Sequence, residues 1–494
     1  MFRFLPLPLR AACILAAGML LAGTSAHAAR RAPAAPPPLQ VGEINSYRAH
    51  PAFLEPYRKG WQLALDEINA QGGVLGRKLQ VVSRDDKGSA EGAAQAAQQL
   101  RERHGIDIYF GGFLSEAGLA LSDHAQRNHA FYLATAPLTD KLVWQQGNRY
   151  TYRVGPSSRM LVAALAPKAL GLRKARWAMV YPDDEYGRGA AATFKAMMEA
   201  FQSKVDFVAE VAVPAAKPDL RAAARRLADA RPDALFNALY ATRLAGFVRE
   251  GRALGLLDGR PVVAPLAGLP EYLEPLGADA PSGWLVTGYA PQAIDSDAHR
   301  RFEQAYRQRY GAAPQAGSVL GYTALTALAA GLRKAGSAQP EALAEAFAGL
   351  EAESPYGRFQ FRRIDHQSTL GVYIGTTALD AGRPVMHVLG YLDGSRLQPL
   401  DTQVRRLRPP APHDEAATDQ AAGSKAGAGA GNAQDGQATE DGSATPTGGS
   451  AAAASHAPAP PSPNQRAPRL QRDRPLPPRV PQGKLVRPDR TPMH

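Results

Sequence analysis

The stretch "ALDEINAQGGVLGRKLQV", from Ala64 to Val81, decides the fold because it joins an amphipathic helix to a strand through two adjacent glycines. The helix begins upstream in "PYRKGWQLALDEINAQ". Its apolar residues recur at helical spacing on one face: Tyr57, Trp61, Ala64, Leu65 and Ile68. Gly72 or Gly73 can adopt the left-handed conformation that ends a helix, and "RKLQVVSRD" then returns as a strand. Such a tight return predicts a strand–helix–strand unit whose helix packs on its own sheet.

The same alternation runs through most of the chain in two sets. In the first set, strands "LQVGEIN", "IDIYFGG" and "HAFYLATA" alternate with amphipathic helices. After a gap, "ARWAMVYP", "VDFVAEVAV", "DALFNALY" and "RPVVAPL" do so again, and a β-rich end follows. We therefore predict an α/β protein with two lobes, each a parallel sheet flanked by helices, and a cleft between them.

Composition divides the chain into a leader, a globular zone and a tail. Residues 1–28 combine Arg3 and Arg10 with an apolar run and end in Ala-His-Ala, which predicts a signal peptide cleaved after about Ala28 and export to the periplasm. A Pro/Ala-rich linker spans 29–38. Residues 409–494 are rich in Ala, Gly, Ser and Pro and end in a basic, Pro-rich segment, so we predict a disordered low-complexity tail.

Charge and cysteine content exclude several classes of function. The net charge is +12, but residues 466–490 alone hold eight basic and two acidic residues, and four arginines precede residue 32. The rest of the chain, outside these two segments, carries a net charge of only +2, and we predict no nucleic-acid partner. Cys13 lies in the predicted signal peptide, so the mature chain is predicted to lack disulfides, thiolate nucleophiles and zinc–thiolate sites.

The sequence motifs for catalysis, cofactor binding and metal binding are absent or lack the required spacing. "GRGAAA" (187–192) resembles the dinucleotide fingerprint, but "PDDEY" separates it from its strand. The sequence contains neither G-x-S-x-G nor H-E-x-x-H, and the acidic turns "RDDKG" and "YPDDEYG" lack calcium-loop spacing. We therefore predict no catalytic residue, no cofactor and no metal.

Polar residues at the carboxyl ends of predicted strands are the candidate site. They are Ser115 and Thr135 in the first lobe and Tyr186, Tyr240 and Glu271 in the second. Ligands of open parallel sheets bind at this edge, against helix N-termini. Hydroxyls beside free helix N–H groups suit a carboxylate, and a tyrosine with a glutamate suits an ammonium group. For each residue, an ordinary role in a cap or a turn stays open.

Several segments together resemble the type I periplasmic solute-binding proteins of branched-chain amino acid ABC transporters, the leucine/isoleucine/valine-binding family. They are "KGWQLALDEINAQGGVLGRKLQVVSRDDKG", "ATAPLTDKL", "YRVGPSS", "VYPDDEYGRGAAATF", "PSGWLVTGY" and "RYGAAPQAGSVLGYTAL". The resemblance spans about 39–408. It implies that Ala134 and Thr135 in "ATAP" and nearby Ser115 hold a ligand carboxylate, that Tyr186 lies in the cleft, and that Tyr240 and Glu271 lie near an ammonium group.

The resemblance also implies the organisation and the function. We expect a first lobe of 39–158 and 290–355, a second lobe of 159–289 and 356–408, and a hinge of three crossings. A small amino-acid-like solute would close the cleft, and the monomeric protein would deliver it to an inner-membrane ABC permease. A periplasmic ligand sensor remains the alternative, and a hydrolytic enzyme is a third class that no motif favours.

Two departures from the family pattern bear on specificity. The loop after the first strand reads "NSYRAHPAFLEPY", in which Arg48, His50 and Phe53 are bulkier than usual. The serine–proline expected before "AT" is replaced by "FYL" (131–133). Since both segments are expected near the ligand, we do not assume leucine-like specificity.

Overall fold

The computed structural model describes residues 36–408. The predicted signal peptide, most of the predicted linker and the predicted tail lie outside the described residues. Within 36–408, no helix is long and apolar enough to cross a membrane. The strands are β1 (Leu39–Asn45), β2 (Leu79–Asp85), β3 (Ile108–Gly111), β4 (Phe131–Ala134), β5 (Thr151–Arg153), β6 (Arg176–Pro182), β7 (Asp206–Val213), β8 (Ala234–Asn237), β9 (Val262–Gly268), β10 (Leu285–Gly288), β11 (Glu351–Ser354), β12 (Gly357–Gln360), β13 (Val372–Asp380) and β14 (Arg383–Leu392).

The helices alternate with the strands over most of the described chain. They are α1 (Pro51–Ala70), α2 (Ala90–His104), α3 (Ser115–Asn128), α4 (Ser158–Gly171), α5 (Glu185–Phe201), α6 (Leu220–Asp229), α7 (Ala241–Ala253), α8 (Pro270–Leu273), α9 (Asp297–Tyr310), α10 (Ala316–Ala335), α11 (Pro340–Phe347) and α12 (Asp401–Leu407).

Two main sheets form the two lobes. The first has five parallel strands in the order β2-β1-β3-β4-β5. The second has the order β14-β13-β10-β9-β8-β6-β7, in which β13 and β14 are antiparallel and the other five strands are parallel. The predicted α/β class with a parallel sheet in each lobe is confirmed, and the antiparallel pair accounts for the β-rich end of the globular zone.

The chain passes between the lobes three times, after β5, after β10 and before β13. The third passage differs from the predicted boundary at 355/356, because β12 pairs with β11 and the chain enters the seven-stranded sheet only at Val372. The chain then turns back, since the Arg408 guanidinium donates hydrogen bonds to the Val143 and Asn148 carbonyls beside β5. Sequence periodicity alone does not reveal such pairings, which join residues far apart in the chain.

The two glycines after α1 form the turn between α1 and β2, as predicted. Gly72 and Gly73 have φ angles of 99° and 84°, in the region that side chains disfavour. A Cβ at Gly73 would lie 2.0 Å from the Arg77 carbonyl oxygen, so the turn has no room for one. The chain reverses within eight residues and β2 pairs in register with β1 from Leu39 opposite Leu79.

A buried arginine joins the hinge segments. Arg153, at the end of β5, is fully buried and donates hydrogen bonds to the Gln367 side chain and to the Pro137 and Thr139 carbonyls. The Gln367 amide in turn donates to the Gly155 carbonyl. The first and third crossings and the loop after β4 are therefore fixed to one another by one guanidinium.

Helices α1 and α10 pack closely because glycines line their contact. A Cβ at Gly60 would lie 2.0 Å from the Ser318 carbonyl oxygen, and one at Gly321 would lie 2.1 Å from that of Tyr57. Backbone therefore meets backbone along this contact. The contact fixes the start of α10 at the edge of the first lobe, where the cleft lies.

We predict that Gly321→Ala lowers the free energy of unfolding by about 2 kcal/mol or more, because the added methyl must push the two helices apart. Urea denaturation followed by tryptophan fluorescence measures this. Gly171→Ala in α4 is the control, since a Cβ there meets nothing within 4 Å, and it should change stability by less than about 1 kcal/mol. Equal effects of the two substitutions would contradict the packing argument.

Candidate functional site

A cavity of about 130 Å³ lies between the two sheets and takes its walls from both lobes. Most of its lining residues are aliphatic or aromatic. They are Phe53, Phe113, Leu114, Ser115, Glu116, Ala136, Leu138, Pro156, Leu161, Asp184, Tyr186, Tyr240, Leu266, Leu269, Tyr272, Thr287, Gly288, Ala316, Val319, Leu320, Tyr356, Leu370, Gly371, Val372 and Tyr373. An apolar cavity with a few polar groups is typical of a small-molecule site.

Aromatic rings from both lobes form one continuous wall. The Tyr240 ring centroid lies 5.9 Å from those of Tyr186 and Tyr272, and 6.3 Å from that of Phe113 across the cleft. Phe53 lies 5.4 Å from Phe113 and 6.5 Å from Tyr272. These separations are those at which tilted and edge-to-face ring pairs attract.

Direct hydrogen bonds hold the lobes together at one edge of the cavity. Glu185, the first residue of α5, donates its backbone N–H to Glu116 Oε1 of the first lobe at 2.8 Å. Its carboxylate accepts hydrogen bonds from the Thr139 hydroxyl and the Lys141 ammonium, both at 3.0 Å. The structure is therefore that of a closed cleft.

Of the polar groups at the cavity, Asp184 already has hydrogen-bond and charge partners in the protein, whereas the Tyr186 hydroxyl has none among the described residues. Asp184 caps α5 by accepting the Gly187 N–H at 2.8 Å, and its other oxygen lies 3.6 Å from the Arg243 guanidinium. The Tyr186 hydroxyl is buried without a hydrogen-bond partner among the described residues. Burial raises the pKa of Tyr186, so the hydroxyl keeps its proton. It is a hydrogen-bond donor at the cavity that a ligand oxygen would satisfy.

Helix α3 begins at the cavity with Ser115. Its N-cap residue, Leu114, offers no side-chain hydrogen bond to the first-turn amides. The Ser115 hydroxyl oxygen accepts the Thr139 N–H at 3.1 Å, which fixes the loop after β4 against this helix. An uncapped helix N-terminus attracts anions through its N–H groups and its dipole.

Three of the six predicted site residues line the cavity: Ser115, Tyr186 and Tyr240. Tyr240 also carries the Arg243 guanidinium carbon 5.2 Å from its ring centroid. The ligand contacts of all three stay predictions.

The other three predicted residues lie behind the cavity wall. Ala134 is the last residue of β4, and Thr135 is fully buried. The Thr135 Oγ1 atom lies 3.4 Å from both the Tyr57 hydroxyl and the Gly112 carbonyl oxygen, so α1 covers it. Glu271 is buried too, and its Oε1 accepts the Gly317 N–H of α10 at 2.7 Å.

The two departures from the family pattern fall in different places. Phe53 lines the cavity, and the His50 ring lies 4.6 Å from that of Phe113. Burial and the nearby Arg243 guanidinium lower the pKa of His50 to about 4, so it is neutral. By contrast, residues 131–133 are buried in β4, where Phe131 packs against Phe347 at 4.7 Å. That substitution serves the core rather than the cavity.

Sequence reasoning missed much of the wall. Phe113 follows β3 and Tyr272 lies in the short helix after β9, so their positions beyond strand ends were a usable signal. Tyr356 comes from the β11–β12 turn, Leu370 from the third crossing and Tyr373 from the start of β13. No strand-end rule reaches them, because long-range folding of the hinge brings them to the cavity.

Comparison with known proteins identifies the family. The family model described as "Periplasmic binding protein" matches residues 47–383. The chain therefore belongs to the periplasmic binding protein family.

Relatives and solved structures agree with this assignment. The Leu/Ile/Val-binding protein homolog 8 of Brucella abortus is 24% identical over 313 residues, which cover 59% of this chain and 75% of the relative. A solute-binding protein of an ABC transporter from Rhodopseudomonas palustris BisB5, solved with 3,4-dihydroxybenzoic acid, matches 72% of this chain and 97% of its own at 23% identity and a TM-score of 0.65.

A second solved structure is the closed conformation of the leucine-, isoleucine-, valine-, threonine- and alanine-binding protein from Brucella ovis. The match covers 74% of this chain and 97% of the Brucella chain, at 18% identity and a TM-score of 0.65. The predicted family is confirmed, and so is the predicted class of function, a substrate-binding component of an ABC transporter. The alternative of a ligand sensor is not favoured.

We predict that Tyr186→Phe leaves the free energy of unfolding of the ligand-free protein unchanged, or raises it by up to about 1 kcal/mol, because it removes a buried hydroxyl without a partner. Tyr152→Phe is the control, since the Tyr152 hydroxyl donates to the Ala344 carbonyl at 2.8 Å, and its loss should cost about 1 kcal/mol. Urea denaturation compares the two. A loss in Tyr186→Phe as large as in the control would show that the Tyr186 hydroxyl is already bonded.

Proposed function

We propose that this protein is the periplasmic substrate-binding component of an ABC importer for a small carboxylic acid with an aromatic body. The observation that carries the proposal is the aromatic wall contributed by both lobes around a small cavity. A flat ring between tyrosine and phenylalanine side chains buries its apolar area and gains edge-to-face contacts. The ring of the ligand would contact the aromatic side chains of both lobes, and closure of the lobes would then depend on the ligand.

The uncapped start of α3 and the Tyr186 hydroxyl support a carboxylate as the polar end of the ligand. Both supply N–H or O–H donors at the cavity, and the positive end of the helix dipole favours a negative charge. Carboxylate oxygens accept such bonds more strongly than neutral oxygens do.

The acidic groups argue against an α-ammonium group on the ligand. Glu271, the residue predicted to bind it, does not line the cavity; its Oε1 accepts the Gly317 N–H, and its Oε2 has no partner among the described residues. Of the two carboxylates that line the cavity, Asp184 caps α5 and Glu116 accepts the Glu185 N–H. An ammonium group would therefore share these two carboxylates with the protein N–H groups that they already accept. The ring-bearing ligand of the Rhodopseudomonas protein is consistent with this choice, whereas the names of the Brucella proteins favour amino acids.

The remaining parts of the proposal follow the family. Residues 1–28 direct export and are removed, the monomer binds its ligand without catalysis, and the closed form docks on an inner-membrane permease. These statements rest on the leader composition of the sequence and on family membership.

We predict that the full-length protein binds benzoate or 3,4-dihydroxybenzoate at least about ten times more tightly than leucine or phenylalanine, because both carboxylates at the cavity already accept hydrogen bonds from the protein. Isothermal titration calorimetry at pH 7 measures the four dissociation constants. Leucine binding tighter than every aromatic acid would overturn the proposed ligand class and restore the amino-acid alternative.

A matched pair of variants tests the aromatic wall. Tyr240→Leu should weaken binding of the aromatic acid about tenfold, since it removes a ring that contacts both Tyr186 and Phe113. Tyr310→Leu removes a ring on α9 that does not line the cavity and should leave the dissociation constant unchanged. Equal effects would show that the wall does not contact the ligand.

A further inference from the structure

We propose that Glu271 is a positioning residue that latches the two lobes together by occupying the N-terminus of α10, and that the latch strengthens as the pH falls. The inference rests on the proposed function in one respect, which is that cleft closure holds the ligand. It assigns Glu271 to closure and not to ligand contact.

The geometry places the latch between the lobes. Glu271 lies in α8, directly after β9 of the seven-stranded sheet, and α10 packs on α1 of the other lobe. The Glu271 Oε1 atom accepts the Gly317 N–H at 2.7 Å. A Cβ at Gly317 would lie 3.4 Å from that oxygen and 2.3 Å from the Phe53 carbonyl oxygen. The carboxyl group therefore reaches an α10 amide at a point where α1, α8 and α10 converge.

Helix α10 is a suitable partner for a carboxyl oxygen. It runs for 20 residues, so its dipole is fully developed at its first turn. Gln315 and Ser318 form its capping box, and Glu271 takes the additional amide of Gly317. Opening of the cleft would return this amide and the Glu271 carboxyl group to water.

Burial sets the charge state of the latch. It raises the pKa of Glu271 to about 7, an effect larger than the opposing hydrogen bonds from the α10 amides. Glu274, three residues along, raises it further. The phenols that face Glu271 stay neutral between pH 5 and 8, because burial raises the pKa of each of them: Tyr272, Tyr289, Tyr306 and Tyr356.

The sign of the pH dependence follows from these values. In the open state Glu271 meets water and its pKa returns towards the ordinary value of 4.5. The closed state therefore binds a proton that the open state releases between these two values. Closure, and with it ligand affinity, should increase as the pH falls from 8 to 5, by roughly tenfold to a hundredfold. A neutral carboxyl group still accepts the Gly317 N–H through its carbonyl oxygen.

The role assigned by sequence to Glu271 predicts the opposite sign. A carboxylate that binds a ligand ammonium must be ionised, so affinity would rise as the pH increases. Replacing it with glutamine would then abolish most of the binding. The two roles for one residue are thus separated by the direction of a single pH profile.

Isothermal titration calorimetry of the full-length protein with benzoate at pH 5, 6, 7 and 8 tests the latch. The wild type should bind more tightly at lower pH, and Glu271→Gln, which keeps the acceptor oxygen but does not titrate, should bind with nearly constant affinity at the pH 5 level. Glu271→Ala should bind more weakly than Glu271→Gln at every pH, because it lacks the acceptor oxygen. Glu199→Gln, which removes an exposed acid on α5, is the control and should retain the slope. A slope that persists in Glu271→Gln, or affinity that rises with pH, would overturn the proposal.

A second measurement needs no ligand. Spin labels at Glu102→Cys in α2 and Arg225→Cys in α6, with Cys13 replaced by serine, report the distance between the lobes by electron–electron double resonance. In the ligand-free protein the short-distance population should grow as the pH falls, and Glu271→Gln should remove that dependence. If benzoate does not bind but this result is obtained, the ligand class fails and the latch stands. If benzoate binds but the short-distance population does not change with pH, the latch is refuted and the proposed ligand class is not.

Discussion

The buried guanidinium of Arg153 is the constraint on which the site depends. A charge taken out of water is costly unless hydrogen bonds compensate for it, and Arg153 finds its acceptors in the Gln367 side chain and in two carbonyls of the loop after β4. These acceptors belong to two separate stretches of chain, and Arg153 itself lies on a third. The arrangement of the crossings relative to the first lobe is therefore enforced by the cost of leaving the charge unbonded. Leu138, Leu370 and Gly371 reach the cavity from stretches held in this way.

Against this rigid frame, the contacts that close the cleft are few and modest. Lys141 pairs with Glu185 at a half-exposed site, where an ion pair contributes at most about 1 kcal/mol. The Glu116–Glu185 and Glu271–Gly317 hydrogen bonds each add a net contribution of about 1–3 kcal/mol. Because these terms are small, the ligand retains control of the equilibrium between open and closed states, as a binding protein requires.

Much of the fold could be predicted from sequence because local patterns agree with the final structure. β1 has the predicted bounds, and the glycine pair ends the first unit as expected. The site could be predicted only in outline. A position at the end of a strand shows at which edge of the sheet a residue lies, but not whether another element covers it. Thr135 has such a position, yet the Tyr57 side chain of α1 covers it. Glu271 has one as well, but the start of α10, 46 residues away in sequence, captures its carboxyl group. Both outcomes depend on helices of the first lobe that close over the strand ends.

The residues that sequence could not place also explain why the cavity is apolar. The β11–β12 turn, the third crossing and the start of β13 contribute Tyr356, Leu370, Val372 and Tyr373 to the cavity wall. An open cleft would expose this apolar surface to water, which is unfavourable. A closed but empty cavity is unfavourable too, because the side chains that line it lose dispersion contacts. A flat apolar body resolves both penalties at once, since it fills the cavity while keeping the two walls apart by the thickness of one ring. Under the proposed function, specificity would reside in the shape of a shared hydrophobic wall, and its few free donors would fix the orientation of the ligand within it.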